Sequence, residues 1–228
     1  MRKLRFALIA ALVLLVPSIR AEADTVRLDQ AFIPTTFNLE TDLHLDFAGA
    51  QTLTVGLGGT LARVDLYLGE FGSGPVSGNL TFDVRPTING IPVNDDASAF
   101  ARITVPASSV MPAGLPIGVF PVSFDLRPFG VSVTPGEVLA LVVANPNASF
   151  PYYGLWGSFT QPFSGGTAFN RAPSLGRPTF GAPGGNHAFA TFVDTAATPE
   201  PATVLLFASA LVPLVASARR KSVTKSLQ

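Results

Sequence analysis

Between residues 25 and 193, apolar side chains recur at every second position, and no stretch there shows a convincing 3.6-residue period. Alternation of this kind puts successive side chains on opposite faces of an extended chain, so each run predicts a half-buried strand. Leu43, Leu45 and Phe47 alternate with Asp42, His44 and Asp46. Ala62, Val64, Leu66 and Leu68 alternate with Arg63, Asp65 and Tyr67. Leu80, Phe82 and Val84 alternate with Thr81, Asp83 and Arg85, and Val122, Phe124 and Leu126 with Ser123 and Asp125. Residues 138–144 form a continuous apolar run after Thr134-Pro135-Gly136, short enough for a strand buried on both faces. Further strands are predicted near 53–55, 100–105, 155–158 and 188–193, separated by turn sequences such as Asn89-Gly90, Asn145-Pro146-Asn147 and Gly184-Gly185-Asn186. Eight to ten short strands with one buried face each imply an all-β fold, a β-sandwich of jelly-roll type, with a closed barrel as the alternative.

The formal charge of the whole chain is zero, yet residues 24–198 hold thirteen Asp/Glu, seven Arg and no Lys, a net of −6. Such a domain lacks the basic stripe that neutralises phosphates, which argues against a nucleic-acid partner. The chain has no Cys, which excludes disulfides, thiolate nucleophiles and Cys-ligated zinc, and leaves stability to a packed core. The length between the tails, 24–196, suits one domain.

Both ends read as addresses. Arg2, Lys3 and Arg5, the apolar stretch 6–16 and the small-x-small site Ala21-Glu22-Ala23 form a secretory signal over 1–23, whose removal by signal peptidase leaves Asp24 first. An uncleaved anchor is the alternative, but the apolar stretch falls short of the roughly 20 residues of a membrane span. At the other end, seventeen uncharged residues (202–218) would extend about 25 Å as a helix, just enough to cross a bilayer. Arg219, Arg220 and Lys221 follow at once and would keep the 222–228 tail cytoplasmic, leaving the domain outside the inner membrane.

The order Thr198-Pro199-Glu200-Pro201-Ala202-Thr203, apolar span, Arg219-Arg220-Lys221 resembles a PEP-CTERM sorting signal, here at 197–221. The resemblance implies a bacterial envelope protein processed by an exosortase. It implies transient anchoring in the inner membrane on the periplasmic side, then release from that anchor or transfer to another one. The leading reading built on it is a non-catalytic β-sandwich presented to the exopolysaccharide layer at the cell surface or in the extracellular matrix, with a carbohydrate-binding module and a secreted hydrolase as alternatives. Thr198 stands where Val is frequent, the span carries Pro213 and no Gly, and seven residues trail the basic cluster. Pro199 and Pro201 keep the backbone around Glu200 out of regular helix and open to a protease. More loosely, Gly59-Thr60-Leu61-Ala62-Arg63-Val64, Val133-Thr134-Pro135-Gly136 and Gly165-Gly166-Thr167-Ala168-Phe169 resemble jelly-roll modules of secreted bacterial proteins, which speaks to fold and not to activity.

No catalytic arrangement is legible. The glycines at 56, 58 and 59 fail the dinucleotide-binding spacing, and there is no P-loop or Gly-x-Ser-x-Gly elbow. His44 and His187 are the only histidines. Glu40, Glu70 and Glu137 are carboxylates that a glycosidase would need in a pair, with solvated positions the favoured reading. On a regular strand Asp42, His44 and Asp46 would share one face and could ligate a metal, although a solvated strand face is favoured and no cofactor is assigned. Asn94, Asp95 and Asp96 offer oxygens for a structural calcium ion without a recognisable ligand spacing. The stretch 150–159 holds the only Trp and two of the three Tyr, and Tyr152, Tyr153 and Trp156 are the candidate sugar-stacking residues of a carbohydrate-binding surface. A core strand rich in aromatics is the competing reading.

Overall fold

The computed structural model describes residues 26–72, 75–110 and 118–195. Among them the chain is all-β, with two antiparallel sheets, as the alternation predicts. The first sheet contains β1 (Val26–Phe32), β2 (Leu39–Leu43), β4 (Gly59–Phe71), β8 (Val119–Asp125), β9 (Ser132–Val133), β11 (Tyr152–Ser158), β14 (Asn186–His187) and β15 (Phe189–Asp194). The second contains β3 (Ala48–Thr54), β5 (Asn79–Ile88), β6 (Ile91–Pro92), β7 (Ala101–Pro106), β10 (Val138–Ala144), β12 (Ala168–Ala172) and β13 (Arg177–Gly181). The segments 1–23 and 197–228, with the signal, the sorting motif and the apolar span 202–218, lie outside the described residues. No helix among the described residues is long and apolar enough to cross a membrane.

The 13-residue β4 organises the first sheet. One of its edges meets β15 along Thr60 to Leu66 and then β11 along Leu68 to Phe71, while the other meets β9 and β8. The changeover is at Ala188, whose carbonyl accepts from Tyr67 N at 3.3 Å and whose N–H donates to Trp156 O at 2.8 Å. β11 is thereby wedged between β4 and β14 on one side and β2 on the other, and the sheet curls toward closure.

The core lies between the sheets. From β4 come Leu61, Val64, Leu66 and Leu68; from β5, Leu80, Phe82 and Val84; from β10, Leu139, Leu141 and Val143. The rings of Phe82 and Phe124 meet across the gap at 4.4 Å between centroids. Complete burial of each such side chain is worth about 2 kcal/mol. β10 is buried on both faces, as its unbroken apolar run predicts: Ala140 and Val142 point away from the core and pack with Ala48 and Ala50 under Phe169 and Phe180.

Two strand readings need correction. Residues 42–47 are not one strand, because β2 ends at Leu43 and the chain turns through 44–46 to reach β3 in the other sheet. Leu45 sits at φ 52°, in the left-handed region, and is exposed, so its place in the alternation is accidental. On β5 the face away from the core was expected to be solvated, yet Asp83 and Arg85 are buried there. The 93–96 segment folds over them: Arg85 Nη1 donates to the carbonyls of Val93 (3.2 Å) and Asn94 (3.1 Å), and Arg85 Nη2 to Asp96 Oδ1 (2.7 Å). The Asn89-Gly90 turn behaves as its sequence requires, both residues having positive φ (52° and 75°) between paired Ile88 and Ile91.

Candidate functional site

Alternation along β11 divides the three aromatic candidates. Tyr153 and Leu155 point into the core, while Tyr152, Gly154 and Trp156 point outward. Tyr153 is a buried core residue whose hydroxyl donates to Ala107 O at 2.9 Å, so it is no part of a surface. Tyr152 and Trp156 are half-buried on the outer face of the first sheet.

Register assembles their surroundings. β4 sets Phe71 opposite Tyr152 and Gly69 opposite Gly154. β2 sets Glu40 opposite Trp156 and Asp42 opposite Gly154. The Phe71 ring lies between the other two, with centroids 5.6 Å from Tyr152 and 5.7 Å from Trp156, and only 6° from the indole plane. His44, in the turn after β2, stacks on Phe47 at 4.7 Å and meets Tyr152 at a tilt of 36° and 4.7 Å, and the exposed Phe150 meets Tyr152 edge-on at 6.1 Å. The two glycines make the shelf on which this group rests. A β-carbon at Gly69 would lie 2.5 Å from Trp156 Nε1, and one at Gly154 would lie 2.6 Å from Glu40 Oε1 and 2.9 Å from the Phe71 ring.

Glu40 and Asp42 occupy the same face of β2, within hydrogen-bonding reach of one another. Burial, the hydrogen bond with Asp42 and the Asp42 charge push the Glu40 carboxyl up to about 8. Burial, and then the charges of Asp42 and Glu40, also raise the Tyr152 phenol. Glu40 Oε1 and Trp156 Nε1 are both buried without a hydrogen-bond partner among the described residues. The arrangement offers flat apolar rings edged by two acidic acceptors and an indole donor, the layout of a site for a ligand with an apolar face and polar substituents.

The other sequence candidates are placed elsewhere. His44 Nε2 is 3.9 Å from Asp42 Oδ2, but Asp46 turns away to accept from Ser174 Oγ at 2.8 Å and from Ser174 N at 2.5 Å, which holds its carboxyl below the usual range. Among the described residues no group of three or more His, Asp or Glu is disposed to hold a metal ion. Of the oxygens considered for calcium, several are engaged by the protein itself, while Asn94 Oδ1 is buried without a hydrogen-bond partner among the described residues. Asp95 Oδ1 accepts from Ala97 N at 3.0 Å, Asp96 pairs with Arg85 and Arg102, and the Asn94 carbonyl accepts from Arg85 and Arg171. Glu137 Oε2 accepts from Thr134 N at 3.1 Å within its own turn. Glu70 lies opposite Tyr153 and, by alternation from Gly69 and Phe71, on the other face of β4 from the aromatic group. His187 is wholly buried, with Nε2 3.3 Å from Thr41 Oγ1, and burial pulls its imidazole down to about 3.

Phe71, Gly69, Gly154 and the placement of Glu40 were not legible as site features. Phe71 ends a strand whose alternation reads as ordinary core, and Glu40 reaches Trp156 only through a pairing of segments more than a hundred residues apart. The sorting residues Pro199, Glu200, Pro201, Arg219, Arg220 and Lys221, and the cleavage residues Ala21 and Ala23, lie outside the described residues. Compared with protein-family models, curated proteins and solved structures, the chain has no match.

Proposed function

We propose that this chain is an exported envelope or extracellular-matrix protein that binds exopolysaccharide, without turning it over, through the Tyr152–Phe71–Trp156 face of a jelly-roll-type sandwich. The observation that carries the binding part is the half-buried Trp156 ring beside a nearly parallel Phe71, on an outward sheet face with two carboxylates at its edge. Rings held this way present apolar faces to the C–H faces of a sugar while acceptors at the rim take its hydroxyls. The export part rests on the sequence: a secretory leader at 1–23 and the PEP-CTERM-like order at 197–221. In this reading signal peptidase removes the leader, the 202–218 helix holds the domain on the periplasmic side, and an exosortase cuts near Pro199-Glu200-Pro201.

The binding test uses the full chain in a detergent without a sugar headgroup. Co-sedimentation with a panel of insoluble polysaccharides should retain the protein, and Trp156→Ala should lower retention at least about tenfold, the loss of one stacked ring in a site of few anchors. Undiminished retention by that variant, or none by either protein, contradicts binding at this face. Release of sugar from the panel, abolished by Glu40→Gln, would instead make the protein a hydrolase. Processing is tested in the producing cell, where replacing Pro199-Glu200-Pro201 by three alanines should leave the chain in the membrane at full length.

A further inference from the structure

The acidic edge of the aromatic face is the one part of it with no counter-charge. Elsewhere four arginines are matched with carboxylates: Arg63 with Asp65, Arg85 and Arg102 with Asp83 and Asp96, Arg127 with Asp125. Among the described residues no arginine pairs with Glu40 or Asp42, and residues 24–198 contain no lysine. The titratable groups that face Glu40 are Asp42 on its own strand, His44 in the turn that follows and Tyr152 on β11; β4 contributes the Phe71 ring. Of these only His44 can carry a positive charge, and its Nε2 stands 3.9 Å from Asp42.

Three independent features thus converge: ring faces that attract cations, a pair of carboxyls too close to ionise together without help, and the buried, unpartnered Glu40 Oε1 beside an unpartnered indole N–H. A neutral sugar hydroxyl would satisfy one oxygen and bring no charge that lets the two carboxyls ionise together. A uronate would add a third negative charge. An ammonium group brings three donors and the missing charge at once. Resting on the polysaccharide-binding reading above, we infer that this face selects an amino sugar with a free ammonium group, the cation seated at Glu40 and Asp42 and the ring on Trp156 and Phe71.

Seating the cation has a proton consequence. Glu40 keeps its proton up to about pH 8 in the free protein, and a cation beside it favours the carboxylate, so the O–H bond breaks and the proton passes to buffer as the ammonium binds. The test is calorimetric titration of the full chain with a glucosamine oligomer at about pH 5.5, where the amine is charged and Glu40 is still protonated, in two buffers of different ionisation enthalpy. The N-acetylated oligomer of equal length and an oligouronate serve as comparisons. The inference expects affinity for the glucosamine oligomer about tenfold or more above that for the N-acetylated one, no uronate binding, and release of a measurable fraction of a proton per site, since a neighbouring cation lowers a carboxyl pKa by about 1–3. That release should vanish in Glu40→Gln, and Asp42→Asn should lose affinity for the cation. Equal binding of charged and acetylated oligomers without proton release, both lost in Trp156→Ala, would overturn the ammonium site while leaving the aromatic sugar face standing. Binding of the uronate would overturn it as well. No binding of any oligomer, with polysaccharide retention unaffected by Trp156→Ala, would remove both.

Discussion

At the scale of single residues the molecule spends its charge in two contrasting ways. Asp83 is buried and accepts from Arg85 Nε at 2.9 Å and from Arg102 Nε and Nη2 at 2.7 Å each. Arg85 beside it is equally buried, so deleting the carboxylate leaves a desolvated guanidinium with the half-exposed Asp96 as its remaining counter-charge, and takes from Arg102 its closest partner. Asp83→Asn is expected to destabilise the fold by about 3–5 kcal/mol, read as a lowered denaturant midpoint. The pair of Asp125 and Arg127 has the same chemistry at 2.8 Å but stands in solvent, and although the arginine pulls the Asp125 carboxyl down to about 2, Asp125→Ala should leave that midpoint within error. Equal effects would show that the 93–96 cover is not closed in solution. The sequence made Asp83 and Arg85 look like an ordinary solvated strand face. Alternation reports which residues share a face, but not whether a distant loop will fold over it.

At the scale of elements, the site is made by β2, β4 and β11 lying in one register. The glycine pair Gly69 and Gly154 is central, since both neighbouring strands must stay bare for the indole and the Glu40 carboxyl to lie flat against the sheet. Gly69→Ala should therefore displace Trp156, shifting its emission maximum and weakening sugar binding about tenfold, the scale of losing one anchor, while strand content by far-ultraviolet circular dichroism is kept. An unchanged emission maximum would contradict the close approach. Strand existence was legible wherever alternation was unbroken, in β4 and β5, and in β10 from its short continuous apolar run. Position on a face was legible within a strand, so that Tyr152 and Trp156 could be paired and set apart from Tyr153 once β11 was known to be extended. Register between β2 and β11 was not, because nothing local in 39–43 or 152–158 encodes which strand lies alongside. The stretch 42–47 misled because a crossing between sheets happened to carry apolar residues two apart.

At the scale of the whole molecule, two titrations pull stability in opposite directions. Glu40 rises from 4.5 to about 8 on folding, so its neutral form favours the fold fully below pH 4.5, and that contribution drains away as pH climbs through 8. His187 falls from 6.5 to about 3, so its contribution is complete above 6.5 and is lost as pH drops through 3. Between 4.5 and 6.5 the two slopes cancel, and the melting temperature should be flat there, declining on either side. Glu40→Gln should remove the alkaline decline and leave the acid one, which the lowered carboxyls of Asp46 and Asp96 also feed. A variant that keeps the alkaline decline would place its cause elsewhere. The central claim remains that sugar covers Trp156, and because this is the only Trp in the chain, its fluorescence reports that face alone. The direct measurement is acrylamide quenching of the full chain with and without saturating polysaccharide: the account predicts that bound polysaccharide shields the indole and lowers the quenching constant, and an unchanged constant at demonstrated saturation would contradict it.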